Sequence, residues 1–325
     1  MIKFSVIIPV YNRPDELREL LESLSAQQYE DFEVIVVEDG SDKPSKDEVS
    51  MFRDKLTIRY VTKENTGQGF SRNYVAGDAE GEYLVFFDSD CLVPDHYFIE
   101  AENFLKENRV DAWGGPDKAH ESFTDLQKAI SFTMTSVFTT GGIRGKKKHI
   151  GRFQPRSFNM GISKEAFMTV GGFFQTNLGE DVELSMRLLE KGYRTALIET
   201  AYVYHKRRTN LYQFFKQAFS FGVGRILSGR NKKGGIKGVH TFPLLFTIAF
   251  LACPWLWFIH PWLFYAGCAG FSLYFFLICI FATAESGSLL VGALSIVTAI
   301  VQLTGYGAGF LMEYVSPSVS KRERG

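Results

Sequence analysis

An α/β domain on a mostly parallel sheet, followed by membrane-spanning helices, is the architecture this sequence predicts. Two observations predict it. Short, apolar, β-branched runs alternate with helical periodicity over the first hundred residues, the pattern of βαβ units. The charge is also split along the chain. Its 325 residues carry 36 basic and 36 acidic side chains, yet between His240 and Ser320 the only carboxylates are Glu285 and Glu313, with no Lys or Arg. Setting aside those two and the tail residues Lys321, Arg322, Glu323 and Arg324 leaves 33 basic and 33 acidic side chains in the first 239 positions. A charged, water-soluble domain therefore precedes an apolar region, which excludes a purely soluble protein. A formal net charge of zero excludes a generic nucleic-acid binder, which needs a basic excess.

The elements follow in order. Residues 4–9 (FSVIIP) read as a buried strand; the run is short and stopped by Pro9 and Asn12, unlike a signal peptide, so the soluble domain is expected to stay in the cytoplasm. Leu17, Leu20, Leu21 and Leu24 recur at helical spacing. Residues 32–38 (FEVIVVE) form a second strand and 58–62 a third; 69–79 read as a helix and 83–88 (YLVFFD) as another buried strand. The pattern is less regular from about 110 to 228. There, 163–170 and 180–191 look helical, 211–227 is an aromatic-rich amphipathic helix, and Arg144, Lys146, Lys147, Lys148, His149, Arg152 and Arg156 form a basic loop suited to a diphosphate or anionic lipid heads. The Gly- and Lys-rich stretch 229–240 reads as a linker.

Three apolar segments come next, at 241–259, 262–283 and 287–312, of 19, 22 and 26 residues. Crossing a bilayer takes about 20. Trp255, Trp257 and Trp262 flank His260-Pro261, as at an interfacial turn, and Arg225, Arg230, Lys232, Lys233 and Lys237 place the preceding side in the cytoplasm. Three crossings would put the basic tail outside, against the positive-inside rule, so two to three spans are expected. The domains are then 1–228 (catalytic), 229–240 (basic linker), 241–315 (membrane) and 316–325 (polar tail). The ionisable groups of the apolar region sit near segment ends, which disfavours a transporter. The four cysteines show no CxxC spacing, so neither a zinc site nor a disulfide framework is indicated.

In open parallel sheets, ligands sit beyond the carboxyl ends of the strands. Three strands here end in polar signals: Pro9-Val10-Tyr11-Asn12, Glu38-Asp39-Gly40-Ser41-Asp42 and Asp88-Ser89-Asp90. Asp88 and Asp90, alternate residues past a strand end, suit a hard divalent cation that keeps positions for phosphate oxygens. Asp39 beside Asn12 suits the N–H edge of a pyrimidine base, and Arg72 and Asn73 suit a ribose or diphosphate. Glu180-Asp181 opens a helix, where acids complement the dipole and a carboxylate is rigidly placed as a general base. His205 is a further candidate metal ligand.

Pro-Val-Tyr-Asn at 9–12, Glu-Asp-Gly-Ser at 38–41, Asp-Ser-Asp at 88–90, Asn-Met-Gly at 159–161, Gly-Gly-Phe at 171–173 and Gly-Glu-Asp at 179–181 together resemble family 2 of the glycosyltransferases over about residues 1–210. The resemblance implies a GT-A fold (a Rossmann-like mixed sheet), a nucleotide-diphosphate sugar donor such as a UDP- or GDP-sugar, a Mg²⁺ or Mn²⁺ cofactor, and inversion at the anomeric carbon. It implies that Asp39 binds the base, with Pro9, Tyr11 and Asn12 walling the pocket and Arg72 and Ser89 contributing to the donor site. Asp88 and Asp90 match the metal-binding DXD motif, His205 a further ligand, Asp181 the catalytic base, and Glu180 and Asn159 the acceptor pocket. The Gln-x-x-Arg-Trp motif of processive synthases is absent, since Gln217 is followed by Ala-Phe-Ser-Phe. The expected activity is sugar transfer to a lipid-linked or membrane-proximal glycan in cell-surface polysaccharide or glycolipid synthesis, at the cytoplasmic membrane. A nucleotidyltransferase, or a non-catalytic membrane scaffold that binds nucleotide sugars, are the competing readings. The first lacks its phosphate loop, since Val-Tyr-Asn-Arg-Pro stands in that place.

Overall fold

The structure is a computed structural model; it describes residues 3–140, 153–174, 179–230 and 238–316. The chain falls into two compact units, 1–118 with 146–206, and 119–145 with 207–325. The predicted boundary near 228 thus differs from the division by packing, because two earlier segments belong with the C-terminal helices.

The first unit contains β1 (Phe4–Val10), α1 (Pro14–Ser25), β2 (Phe32–Asp39), α2 (Lys46–Ser50), β3 (Ile58–Lys63), α3 (Gln68–Ala76), β4 (Tyr83–Phe87), β5 (Cys91–Leu92), α4 (Tyr97–Glu107), β6 (Ala112–Gly114) and β7 (Asp117–Lys118). Helices α5 (Asp125–Thr135) and α6 (Val137–Thr140) come next in sequence, in the second unit. The first unit resumes with β8 (Asn159–Ser163), α7 (Lys164–Val170), α8 (Glu180–Glu190), β9 (Thr195–Leu197) and β10 (Val203–His205). Seven strands form one sheet in the order β3-β2-β1-β4-β8-β6-β9. Strands β3, β2, β1 and β4 run parallel; β8 runs antiparallel to both β4 and β6, so the sheet is mixed.

Every residue of β1 and β2 is buried, as expected for strands covered on both faces. The two-residue pleat period sorts them. Phe4, Val6, Ile8 and Val10 of β1, with Val34 and Val36 of β2, enter one core that also takes Leu17, Leu20, Leu21 and Leu24 of α1. Ile7, Ile35, Val37 and Phe86 face the other core, against Val75 and Ala76 of α3 and Phe167 of α7. Because Val10 pairs with Glu38 and β1 also runs parallel to β4, the carboxyl ends of all three strands open on one edge. A small second sheet, β5-β10-β7, sets His205 opposite Cys91.

The second unit joins α5 and α6 to α9 (Leu211–Arg230), α10 (Phe242–Ala252), α11 (Leu256–Ile259), α12 (Pro261–Ser286) and α13 (Leu289–Val315). Three helical stretches, Gly238–Ile259, Pro261–Ser286 and Leu289–Val315, are long and apolar enough to cross a membrane. Phe132 of α5 packs with Ile278, Ala282 and Ala299, and the hydroxyls of Thr133 and Thr298 lie 2.6 Å apart. Helices α9 and α13 meet backbone to backbone: a Cβ on Gly309 would lie 2.1 Å from the Phe219 carbonyl oxygen. The linker expected at 229–240 lies mostly outside the described residues, and α9 extends to Arg230.

Candidate active site

At the end of β1 the chain turns through Asn12, whose φ of 55° lies in the left-handed region that Asn tolerates. The Asn12 backbone N–H donates to Ser41 Oγ at 2.8 Å, and its side-chain oxygen accepts from the Lys43 N–H at 3.0 Å. Buried Glu38 fixes the same loop, accepting from the Ser45 N–H at 2.7 Å and the Tyr60 hydroxyl at 2.9 Å. Tyr11, 49% exposed, leaves its ring open beside this loop, while Pro9 is buried in the strand. Gly40, at φ 72°, passes so close to Asn65 that a Cβ would lie 2.7 Å from its backbone nitrogen.

That close approach delivers the 65–67 loop to Asp39. Asp39 Oδ1 accepts from Lys63 Nζ at 2.5 Å and the Thr66 N–H at 3.0 Å, and Oδ2 from the Gly67 N–H at 2.9 Å. Burial opposes the charge, but these bonds and the Ser71 hydroxyl outweigh it, holding Asp39 below the usual carboxylate range. Asp39 is therefore a fixed anion, with one acceptor position left on Oδ2.

The centre of the site is Arg72. It is 0% exposed and its guanidinium lies against the rings of Phe86 and Phe173, 5.9 and 5.3 Å from their centroids. Nη2 donates to Asp88 Oδ1 at 2.6 Å and Nη1 to Glu180 Oε1 at 2.9 Å, where Gln68 Nε2 adds a bond of 2.7 Å. One buried cation thus joins the carboxyl end of β4 to the start of α8. One guanidinium does not neutralise two carboxylates. Burial raises Asp88, helped by nearby Asp90 and Asp181, and burial likewise pushes Glu180 up to about 7 against the pull of Arg72. Glu180 Oε2 is buried with no hydrogen-bond partner among the described residues.

Asp90 lies two residues beyond Asp88. Arg13 Nη1 donates to its Oδ2 at 2.7 Å, and His205 Nε2 lies 3.0 Å from Oδ1. Although burial disfavours the anion, His205 and Arg13 together keep Asp90 ionised well below the usual range. Asp90, Cys91 and His205 each bring a ligand atom within 4.8 Å of the others. Carboxylate and imidazole donors, with Asp88 a partly exposed second carboxylate, fit a divalent cation of the Mn²⁺ or Mg²⁺ kind, the imidazole suiting Mn²⁺ better.

Asp181 follows Glu180 in the first turn of α8, after Gly179 in the left-handed region. Its side chain is 18% exposed; Oδ1 accepts from the Val182 N–H at 2.7 Å and lies 3.3 Å from Arg156 Nη1. Of the two adjacent acids, the more open one is Asp181.

The sequence-predicted residues thus assemble on one strand edge, but four of them, Arg72, Asn159, Glu180 and Ser89, are buried there. Arg72 faces two carboxylates with no exposed surface, so it braces the site rather than gripping a diphosphate. Asn159 is fully buried: its Oδ1 accepts from the Tyr97 hydroxyl at 2.6 Å and its Nδ2 donates to the Ala201 carbonyl at 2.9 Å. Bonded at both ends and fully buried, it is placed as a strut of the fold. Glu180 is likewise buried under Arg72, and Ser89 is buried between the two aspartates. Arg13 and Lys63 escaped the sequence reading, because a single arginine in a turn or lysine at a strand end carries no spacing signal. The basic residues expected at 144–152 lie outside the described residues; Arg156 is the member of that loop seen on Asp181.

The mixed sheet is of the GT-A type. The sequence profile described as "Glycosyl transferase family 2" matches residues 5–171, just over half of the chain, and the protein belongs to that family. Among curated relatives, the poly(ribitol-phosphate) beta-N-acetylglucosaminyltransferase TarS of Staphylococcus aureus is 37% identical over 115 residues, 34% of this chain and 20% of the relative. The minor teichoic acid biosynthesis protein GgaB of Bacillus subtilis is 29% identical over 212 residues, 63% of this chain and 23% of the relative. The matches therefore span about a fifth of each relative's length. Among solved structures, the mannosyltransferase PcManGT from Pyrobaculum calidifontis in complex with GDP-Man and Mn²⁺ superposes with a TM-score of 0.61 at 18% identity, covering 97% of this chain and 87% of that one. S. aureus TarS 1–349 in complex with UDP-GlcNAc gives 0.53 at 19% identity, covering 96% and 92%. These likenesses establish the fold.

Proposed function

We propose that the protein is an inverting, divalent-cation-dependent glycosyltransferase. It moves a sugar from a UDP- or GDP-sugar to a hydroxyl of a lipid-linked or membrane-proximal glycan, in the synthesis of a cell-surface polysaccharide or glycolipid. The observation that carries the reading is Arg72, whose bonds to Asp88 and Glu180 bring the acid pair at the end of β4 and the Asp181 helix start to one place. A parallel sheet has already brought Asp39 to the same edge.

In this reading Asp39 accepts the base N–H and Tyr11 offers its open ring to the base face, with Asn12 holding the loop between them. Asp88, Asp90 and His205 would hold the cation, which when bound neutralises diphosphate charge and makes the nucleotide a better leaving group. Asp181 removes the proton of the acceptor hydroxyl. The acceptor oxygen bonds to the anomeric carbon as the bond to the diphosphate oxygen breaks, in one displacement with inversion. Bound side by side, the reactants avoid the entropy cost of meeting.

The acceptor class rests on the three apolar helices and on relatives named for poly(ribitol-phosphate) and teichoic acid chemistry. The basic residues before the first apolar helix support a catalytic unit on the cytoplasmic side of the membrane. Along the sequence the limits proposed are a catalytic segment to about 228, a linker, and a membrane region to about 315, with α5, α6 and α9 of the first segment packing with the apolar helices.

The test is a panel of nucleotide sugars assayed with the full-length protein and a membrane extract, with Mn²⁺ or Mg²⁺ and again with EDTA. Turnover of one donor that EDTA stops is the expected outcome. Absence of both binding and turnover for every donor, under all metal conditions, would overturn the reading and favour a non-catalytic scaffold.

A further inference from the structure

Among the described residues four cations flank this site, and three of them are paired with acids other than Asp90. Lys63 is held on Asp39, Arg72 is buried between two carboxylates, and Arg156, 27% exposed, faces Asp181 at 3.3 Å. Arg13 differs. Its side chain is 32% exposed, it hangs from the loop between β1 and α1 next to Tyr11, and it reaches across to Asp90 Oδ2. The other partner of Asp90 is fixed. His205 is paired by strand register to Cys91, its ring stacks on Phe158 with centroids 4.9 Å apart, and the following N–H, that of Lys206, donates to the Asp90 carbonyl at 2.9 Å.

Oδ2 of Asp90 is therefore claimed by a partly exposed cation, on a carboxylate that also meets His205. Two cations repel at such range in a partly buried site, so a divalent cation and the Arg13 guanidinium compete for this oxygen. A guanidinium released there has a matching acceptor in a diphosphate, which it grips bidentately. We propose that Arg13 is an exchangeable counter-ion. It holds Asp90 Oδ2 while no divalent cation is bound, and it turns to the donor's diphosphate when Asp90 yields that oxygen to one. The proposal rests on the cation-dependent reading given above. It makes the ligand-free enzyme a weak metal binder and couples metal loading to donor capture, since the arginine released by one is gained by the other.

The experiment measures Mn²⁺ binding to the full-length protein without nucleotide, then UDP and GDP binding with Mn²⁺ present, for the wild type, Arg13→Gln, Arg13→Lys and Asp90→Asn. Arg13→Gln is expected to tighten Mn²⁺ by about tenfold, the worth of a hydrogen bond to a charged group, and to weaken the diphosphate by a similar factor. Arg13→Lys falls between, and Asp90→Asn loses Mn²⁺. Opposite signs are the signature, because a merely structural arginine would lower both affinities and the melting temperature together. Mn²⁺ affinity unchanged or weaker in Arg13→Gln overturns the proposal, and so does tighter Mn²⁺ with diphosphate binding unaltered. If no protein in the set binds Mn²⁺ with or without nucleotide, the cation-dependent reading itself fails, and the exchange falls with it.

Discussion

The two units of this chain bury different chemistry. The first hides charge: Glu38, Asp39, Arg72 and Glu180 are all buried, and they converge on the edge where β1, β2 and β4 end. The second buries fewer charged groups, Arg207 and Glu313 among its described residues, is built mainly from apolar and small residues, and brings α9 and α13 together at glycines. Burying a charge costs several kcal/mol unless it is paired and hydrogen-bonded. A fold that accepts that cost at one edge has reserved the edge for chemistry, whereas the helical unit spends its surface on close contact. Stability in the first unit should depend on partners, and in the second on volume.

The sharpest way to break that contrast is Arg72→Met. It leaves Asp88 and Glu180 without their shared cation, and loss of one member of a buried ion pair costs about 3–5 kcal/mol. A large fall in the urea midpoint is expected, with transfer abolished; a near-neutral change would show that the network is not what holds α8 to β4. The counterpart in the second unit is Gly309→Val, which drives a methyl-bearing carbon into the Phe219 carbonyl. Overpacking of this kind costs up to about 3 kcal/mol. Lower thermal stability in detergent, with nucleotide binding kept, is the expected result, and loss of both at once would mean that the units are not separable in this way. Asn159→Ala strips partners from the Tyr97 hydroxyl and the Ala201 carbonyl, at about 1–3 kcal/mol. If Asn159 contacted the acceptor instead, the variant would raise the acceptor KM without lowering the urea midpoint.

The remaining effect is one of pH. Glu180 is pushed up to about 7 from an ordinary value of 4.5, so the folded chain keeps a proton that the unfolded chain releases between those values. Its contribution to stability therefore falls as pH rises from about 4.5 to about 7 and is level above that. In EDTA, Glu180→Gln should flatten this part of the stability profile. An equal slope in both proteins would place the proton elsewhere.

The acids were legible in the sequence because each sits directly after an apolar strand, so strand direction alone puts Asp39, Asp88 and Asp90 on one edge. The bracing was not. Arg72 has the spacing of an ordinary helix residue, and only the packing of α3 against β4 and α8 turns it inward. Asn159 lies in a motif shared with the family, yet whether its amide meets substrate or a buried tyrosine depends on α4, far away in sequence. Strands β5, β7 and β10, of two or three residues, are too short for any period to register. The second sheet that positions His205 was therefore invisible, and so was the membership of α5 and α6 in the helical unit.

The central claim is that the sheet edge carries out sugar transfer, with Asp181 as the base. Its most direct test is Asp181→Asn, with donor affinity and transfer rate measured side by side on the donor that the panel identifies. General-base catalysis is worth about 10²–10⁴-fold, so transfer should fall by that factor while donor binding stays as in the wild type. Transfer retained at the wild-type rate would contradict the account.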